Sequence, residues 1–438
     1  MGRHRPDRRS WWRRPRPGLT LALLVAAIAS YGLLVVFSHR IEQRSRRAWE
    51  VEGNSLDQLV RRYPSRGTNS QAREVETIAA ELGLRLVPNW SSRPLRLDPG
   101  AVEQWQSVRD ALGEFVVTHL RRDDGRIDAP PQAVADYLRE HRQVLARLRS
   151  VIADSDPPLW RRELDRGPEA RLPNLLGQVA LHRILVADAL EALRGRGWER
   201  AAADLEASWS LAAGLREDPV LIEQFVSMAV LRFQAGVLRR LPEADSRWSE
   251  RLAGAGDRGL LLDALRHEVA ALSMVDPTRL TGELSASERA FGWLAAPYLR
   301  VSHADALTRW QQALSGLEQR PSLCPPPGRE RLDWRVASRP WWNRLEDSLQ
   351  AGFSATGRLL RLQLDLELTR HWLALNLERA RSGHWPAELP LGGASAACPD
   401  ERWLYHVSPE GEVEVRLSRS FPAPMHGWAL PLRHRSGF

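Results

Sequence analysis

Two carboxylate–histidine pairs are the residues of this 438-residue chain whose spacing could support metal chemistry. Asp263 precedes His267 by four positions, and Glu367 precedes His371 by the same interval. On a helix, residues four apart lie on one face, and two such pairs on neighbouring helices can bind a metal ion within a bundle. The same spacing is also typical of helices whose polar side chains face solvent. We therefore assign no metal ligand and no catalytic residue from these pairs.

The beginning of a zinc-protease motif occurs in the first pair. His267-Glu268 matches the first half of His-Glu-x-x-His, but Ala271 stands where the second histidine is needed, which excludes the standard motif. The sequence also contains no Gly-x-Ser-x-Gly and no glycine-rich phosphate loop. A hydrolase assembled from distant residues stays open as an alternative, because a catalytic triad is defined by geometry and not by sequence order.

The basic residues exclude several classes of protein. All 62 are arginine, and without lysine the chain cannot be a P-loop NTPase, a protein kinase, a pyridoxal enzyme or a Ser-Lys hydrolase. Residues 1–17 hold seven arginines and one aspartate, which is six of the eight net positive charges. The remainder is nearly neutral and lacks the charge needed to bind phosphate backbones. We predict no nucleic-acid partner and no small-molecule cofactor.

The two cysteines lie in proline-rich segments. Cys324 belongs to the loop 321–327, and Cys398 precedes Pro399. Two thiolates are too few for a four-cysteine zinc or iron–sulfur site, whereas two cysteines can pair in an oxidising compartment. We predict a disulfide between them, stabilising the fold by about 2–4 kcal/mol; the alternative is two unrelated thiols.

Tryptophan is unusually frequent, with 18 residues against 5 tyrosines and 8 phenylalanines. Exposed tryptophans can stack on sugars or anchor partner proteins. The pair Trp341-Trp342, after Pro340, is the candidate contact for a protein partner or a glycan. We interpret the tryptophans as a group chiefly as packing residues.

An uncharged apolar run covers residues 19–38 and is long enough to cross a bilayer as one helix. Seven arginines precede it and four follow closely, and an arginine excess marks the cytoplasmic side. We therefore predict a single-pass protein of the bacterial inner membrane that contacts lipid through residues 19–38, with a cytoplasmic N-terminus. The alternative is a cleaved signal peptide, because Ala27-Ile28-Ala29 has the small-x-small form; both interpretations export the following chain.

Apolar residues at helical spacing predict a mainly α protein. We expect antiparallel helical hairpins, arranged as a solenoid or a bundle, and a small C-terminal α+β module. The predicted segments are a cytoplasmic basic tail (1–18), a transmembrane helix (19–38), a stalk with short helices (39–97), a helical domain (98–320), a proline-rich loop and connector (321–355), and a long helix with a β-hairpin module and tail (356–438).

Local signals place elements within these segments. Prolines, glycines and aspartates separate the expected helices, which run near 99–120, 131–153, 173–195, 198–214, 219–240, 246–253, 257–274, 285–297 and 301–318. The turn sequence Ser408-Pro409-Glu410-Gly411 predicts a β-hairpin between 402–407 and 412–417. Alternation of Val413, Val415 and Leu417 would place one face of this hairpin against the long helix.

The stretch Ala187–Val230 resembles a tetratricopeptide-type helical hairpin. Trp198, Trp209 and Asp218-Pro219 carry the resemblance, although no 34-residue period continues on either side. It implies helices that stack as antiparallel pairs.

The C-terminal part has a second resemblance. A long helix, Trp385-Pro386 followed by Leu389, a proline-flanked Asp400 and a turn with Gly411 occur within residues 356–418. This segment is similar to the tail of uncharacterised bacterial single-pass membrane proteins and, more distantly, to the globular part of type II secretion pseudopilins. Some pseudopilin modules bind calcium through loop carboxylates, but the matching loop here has only Asp400 and Glu401, and we predict no bound metal.

These observations favour a non-enzymatic role. We predict a membrane-anchored extracytoplasmic scaffold or protein-interaction protein of the bacterial envelope, with envelope proteins as partners. The alternatives are a periplasmic hydrolase with a non-local active site and a peptidoglycan- or glycan-binding protein.

Overall fold

The computed structural model describes residues 17–87, 95–153, 156–242, 245–274, 286–326, 340–343, 348–419 and 432–436. In these ranges the protein is mainly helical, as predicted, with three short strands at the C-terminal end. The helices are α1 (Pro17–Trp49), α2 (Leu56–Arg62), α3 (Ser70–Glu81), α4 (Pro99–Arg121), α5 (Gln132–Glu140), α6 (Arg142–Ala153), α7 (Leu175–Arg194), α8 (Trp198–Leu211), α9 (Ala213–Glu217), α10 (Leu221–Leu238), α11 (Arg247–Ala253), α12 (Arg258–Met274), α13 (Ala286–Glu318) and α14 (Ser348–Ser382). The strands are β1 (Trp403–Val407), β2 (Val413–Leu417) and β3 (Arg433–Arg435).

The chain divides into two compact units. The first unit contains Met1–Gly53, Ser273–Gln311 and Ala337–Glu346. The second unit contains Asn54–Leu272, Gln312–Val336 and Asp347–Phe438. Each unit is therefore assembled from segments that are distant in sequence.

In the first unit, α1 includes the predicted membrane segment. The helical stretch Thr20–Trp49 is long and apolar enough to cross a membrane, and its most apolar window is not buried. The half-buried Tyr31 and Val35 and the buried Ser38 and Glu42 recur every three or four residues. They therefore form one stripe along the helix. This stripe contacts α13 at both ends, through Tyr31 to Trp293 and through Glu42 to His303.

Helix α13 differs from the sequence expectation. Two helices were expected on either side of Pro297, but one continuous helix passes through this residue. A proline inside a helix removes the hydrogen bond to the carbonyl four residues earlier, here that of Trp293. The Tyr31 hydroxyl donates to this carbonyl. A partner from another helix thus replaces the missing bond and lets the helix continue.

The second unit is built around α7, α8 and α10. Asn174 accepts a hydrogen bond from the Gly177 amide and caps α7, and the tight turn after Arg194 returns the chain into α8. Helix α10 also passes a length-and-composition test for a membrane span, but 72% of its apolar window is buried, so it is a core helix. Helices α7 and α8 therefore form the predicted hairpin, with α10 packed on both.

Helix α14 joins the C-terminal strands to this core. It packs on α10, where the buried Arg239 donates to Asp365 at 2.9 Å and to Thr369 at 2.6 Å. The loss of either partner of such a buried ion pair leaves an uncompensated charge and is strongly destabilising. This pair therefore fixes how α10 and α14 align.

The C-terminal sheet confirms the predicted hairpin and adds a strand. Strands β1 and β2 pair antiparallel, with Trp403 opposite Leu417 and Val407 opposite Val413. The side chains of Val413, Val415 and Leu417 are buried, as their alternation predicted. The sequence did not predict β3, which pairs with β2 and has only three residues.

Candidate functional site

In the structure, the side chains of both carboxylate–histidine pairs take part in packing and hydrogen bonding between elements. Asp263 accepts hydrogen bonds from Arg62, Tyr63 and Arg266. Its partner His267 is buried on α12, and desolvation lowers the pKa of this imidazole. Among the described residues, no group of three or more histidines, cysteines, aspartates and glutamates could hold a metal ion. The Asp263 carboxylate is therefore already hydrogen-bonded to two guanidinium groups and to the Tyr63 phenol.

Glu367 holds the loop that carries the second cysteine. Its two oxygens accept hydrogen bonds from the Ser395 hydroxyl at 2.7 Å, the Ala397 amide at 2.6 Å and the Trp403 indole at 2.9 Å. The Ser395 hydroxyl in turn accepts from the Cys398 amide at 3.1 Å. The carboxylate thus fixes Cys398 against α14.

The predicted disulfide is present in the second unit. Cys324 and Cys398 are joined with a Cα–Cα separation of 5.1 Å across 74 residues of sequence. A bond of this kind is typical of an oxidising compartment. It ties the segment after α13 to the loop that Glu367 positions.

The predicted tryptophan pair lies in the first unit, and its members have different surroundings. Trp341 is 90% exposed, whereas Trp342 is half-buried. The carbonyl of Trp342 accepts a hydrogen bond from the Tyr298 hydroxyl at 2.9 Å. Only Trp341 of the two therefore presents a free ring.

One serine–histidine contact occurs in the core and does not form an accessible active site. His182 Nδ1 lies 2.9 Å from the Ser208 hydroxyl, which also accepts from Gln234 at 2.9 Å. All three side chains are buried, and desolvation lowers the pKa of His182 to about 3. A neutral imidazole sealed from solvent connects α7, α8 and α10, and it cannot meet a substrate.

Sequence reasoning missed a cavity of about 120 Å³ in the second unit, which we call the arginine pocket. It lies where α8, α9, α10, the α11–α12 loop and α14 converge. Its lining residues are Trp209, Arg216, Gln224, Ser227, Met228, Leu231, Arg251, Gly254, Ala255, Gly256, Asp257, Leu260, Leu359 and Leu362. The pocket therefore combines cationic groups with an apolar floor. A wider depression of about 870 Å³ beside Arg85 is lined by exposed and half-buried residues.

Arg216 is a desolvated cation in the lining of the arginine pocket. Its guanidinium carbon is 3.8 Å from the centre of the Trp209 ring, and one of its nitrogens donates to the Trp209 carbonyl at 2.8 Å. Desolvation lowers the pKa of Arg216 to about 10, which leaves the side chain charged at neutral pH. Contact with the face of an aromatic ring stabilises such a cation. The ring and the carbonyl hold Arg216 in place.

Arg251 approaches Trp209 from α11. Its guanidinium carbon lies 5.7 Å from the Trp209 ring centre and 4.9 Å from that of Trp248. Glu206 accepts two hydrogen bonds from it, at 2.8 and 2.7 Å. One of the two pocket cations is thus balanced by a carboxylate. Arg216 places a second cation in the pocket, where it faces the charge of Glu217 and shares the lining with Asp257.

Neutral groups complete the arginine pocket. The Ser227 hydroxyl belongs to the cavity lining. Gln224 donates to the carbonyls of Leu215 and Asp218 and so fixes the end of α9 beside the cavity. Gly256 has φ +74°, a conformation that favours glycine, and its carbonyl accepts from Gln363 at 3.1 Å. The α11–α12 loop is therefore held on the cavity wall.

This arrangement can bind but offers little catalytic chemistry. The one carboxylate in the lining, Asp257, accepts a hydrogen bond from the Gly259 amide at 2.8 Å at the start of α12. A guanidinium and a hydroxyl that line one cavity with aliphatic side chains suit a carboxylate attached to an apolar group. Cofactor and drug-sized sites usually measure about 300–1,000 Å³, so this cavity suits a single side chain.

No protein-family model, curated protein or solved structure matches this chain. The site is therefore interpreted from its own geometry. Two sequence signals could have indicated it: Trp209 and Arg216 are seven residues apart, and Gly254-Ala255-Gly256-Asp257 precedes a helix. Neither signal identifies the site alone, because Arg251 and the α14 leucines come from other parts of the chain.

Proposed function

We propose that the protein is a single-pass extracytoplasmic scaffold or interaction protein of the bacterial inner membrane, with its N-terminus in the cytoplasm. The apolar helix α1 supports anchoring, and the Cys324–Cys398 disulfide supports an oxidising location for the second unit. The arginine excess before residues 19–38 supports the orientation.

The arginine pocket carries the functional part of this proposal. Its volume of about 120 Å³ fits one side chain, and its lining contains the cation Arg216 together with Met228 and Leu231. A partner protein would place a carboxylate on Arg216 and an adjoining apolar side chain on the floor. The C-terminal residue of a chain combines both groups at the right spacing. We therefore expect an envelope protein with an apolar C-terminal residue as partner.

Calorimetry with a defined probe tests this pocket. The full-length protein in lipid nanodiscs is titrated with N-acetyl-glycyl-leucine as the free acid and as the amide. Charge-assisted hydrogen bonds contribute about 1.5–3 kcal/mol, so the amide should bind roughly 10- to 100-fold more weakly. Arg216→Met should weaken binding of the acid by a similar factor. Arg194→Met is the matched control, because Arg194 pairs with Glu191 on the surface of α7 and should leave binding unchanged.

Photo-crosslinking in cells tests the partner class. A photoreactive amino acid at Met228, inside the pocket, should form adducts with envelope proteins, and the added substitution Arg216→Met should abolish them. The same amino acid at Leu176, an exposed position on α7, should not form these adducts. Equal binding of acid and amide, no binding of either, or adducts unaffected by Arg216→Met would contradict the proposal.

A further inference from the structure

The contact between α1 and α13 lies at the level of the predicted span. The Tyr31 and Trp293 rings are 4.5 Å apart, and Tyr31 belongs to the apolar run 19–38. If this run crosses a bilayer, Trp293 lies at hydrocarbon depth beside it. The first unit therefore brings a second, distant segment of the chain to the membrane.

The hydrogen bonding of this segment suits an apolar environment. Pro297 cannot donate to the carbonyl of Trp293, and the Tyr31 hydroxyl does so instead. In lipid, an unpaired backbone carbonyl has no water to replace the missing donor, and prolines in membrane helices are tolerated where a neighbouring helix supplies one. Pro297 itself is buried. The one carbonyl that the proline frees is thus satisfied from within the first unit.

Polar contacts mark where the apolar level ends. Eleven residues after Tyr31, Glu42 on α1 lies 3.7 Å from Arg300 and 3.3 Å from His303 on α13. The two helices therefore run in the same direction. They meet first through the rings of Tyr31 and Trp293, and further along through the charged side chains around Glu42. In this direction the charges resume at Arg40 on α1 and at Arg300 on α13, which are at similar heights, whereas Glu288 and Arg289 precede Trp293 on α13. The apolar level of α13 is therefore limited to residues 290–299.

Apolar side chains on this level are exposed. Trp293 is 62% exposed and Leu294 is 60% exposed, and Tyr298 follows one turn later. Trp341 lies close by, because its neighbour Trp342 accepts from Tyr298 and Asn343 donates to the Ser302 carbonyl. Tryptophan and tyrosine concentrate where hydrocarbon meets headgroups. Contiguous exposed apolar surface marks an interaction site.

We infer that the Trp293–Tyr298 part of α13, together with Trp341, is embedded in the extracytoplasmic leaflet beside the span. The occupant of this surface is phospholipid: acyl chains around Trp293 and Leu294, and the headgroup region around Tyr298 and Trp341. The inference rests on the proposed anchoring of residues 19–38, since Tyr31 sets the depth. The protein would thus contact the membrane through α13 and Trp341 as well as through α1.

Spin labels at three leucines test this inference in the full-length protein. Leu294→Cys, Leu24→Cys in the span and Leu176→Cys on α7 are each labelled in nanodiscs of phosphatidylethanolamine and phosphatidylglycerol. The native cysteines are joined to each other and do not react. All three leucines are exposed, so labelling should preserve the fold. Collision with lipid-soluble oxygen is compared with collision with a water-soluble nickel chelate.

We expect oxygen to dominate several-fold at positions 24 and 294, and the nickel chelate to dominate at position 176. An aqueous label at 294 with a lipid-exposed label at 24 would overturn the inference and leave the anchor intact. An aqueous label at 24 would overturn the anchor and the inference together. A lipid-exposed label at 176 would also contradict the inference, since embedding would then not be specific to α13.

Discussion

Trp293 and Trp341 in the first unit leave most of their surface uncovered, whereas Trp209 and Trp248 in the second unit lie against arginine side chains. The difference comes from the neighbours. Arg216 and Arg251 bring charge to the faces of Trp209 and Trp248, and the rings stabilise cations that binding would use. The Trp293 ring instead lies 4.5 Å from the ring of Tyr31. One residue type thus packs against cations in one unit and is largely exposed in the other.

Replacing one tryptophan in each unit with alanine should give the largest difference between two changes in the free energy of unfolding. Trp248 is 2% exposed, so Trp248→Ala should lower the free energy of unfolding of the second unit by about 3–5 kcal/mol. Trp341→Ala should change it by less than about 0.5 kcal/mol, because the ring packs on little protein. Denaturant unfolding in nanodiscs, followed by circular dichroism, measures both values. Equal losses would contradict the contrast.

Lowering the pH should reduce the stability of the second unit through His371. Burial, and then the charge of Arg370, lower the pKa of His371 to about 4, below the unfolded value near 6.5. The unfolded chain therefore binds the proton first, and the stability from neutral His371 is full above pH 6.5 and is lost as pH falls towards 4. The loss should reach about 3 kcal/mol.

Unfolding curves of the wild type and His371→Gln between pH 7 and 4 measure this effect. The variant should lose stability less steeply across the range, and parallel curves would show that His371 does not contribute. At each pH, the spin label at Leu294→Cys should report the same depth with His371 as with His371→Gln, because His371 belongs to the second unit.

Two tyrosine–carbonyl bonds provide the smallest and most closely matched comparison. Tyr31→Phe should weaken the docking of α13 on α1 by about 0.5–1.5 kcal/mol, because lipid offers the Trp293 carbonyl no other donor. Tyr298→Phe removes the same kind of bond to Trp342 where water can replace it, so its effect should be close to zero. The mobile fraction of the label at Leu294→Cys measures both. A larger effect of Tyr298→Phe would contradict this depth assignment.

Features with local signals could be predicted from the sequence. The turn Ser408–Gly411 predicted the hairpin of β1 and β2, and two proline-flanked cysteines predicted the disulfide. Helix α13 was predicted as two helices because the hydroxyl that compensates Pro297, that of Tyr31, is 262 residues in sequence from the Trp293 carbonyl it bonds. A local sequence pattern cannot indicate a hydrogen-bond donor that lies so far away in the chain.

The candidate site was beyond sequence reasoning for the same reason. The carboxylate–histidine pairs had the right spacing for a metal site, but spacing does not reveal that Glu367 already accepts three hydrogen bonds. The arginine pocket joins α8, α9, α10 and α14, and no short window contains its groups. Strand β3 is too short to give an alternation pattern. In each of these examples, contacts between residues that are distant in sequence determine the structure.

The most direct test of both tryptophan environments is fluorine NMR of the full-length protein labelled with 5-fluorotryptophan in nanodiscs. Trp209→Phe and Trp341→Phe assign the two resonances. The Trp209 signal should shift with N-acetyl-glycyl-leucine but not with its amide, and the Trp341 signal should broaden when the lipids carry a headgroup spin label. A Trp209 signal that ignores the free acid, or a Trp341 signal that ignores the labelled lipid, would contradict the account.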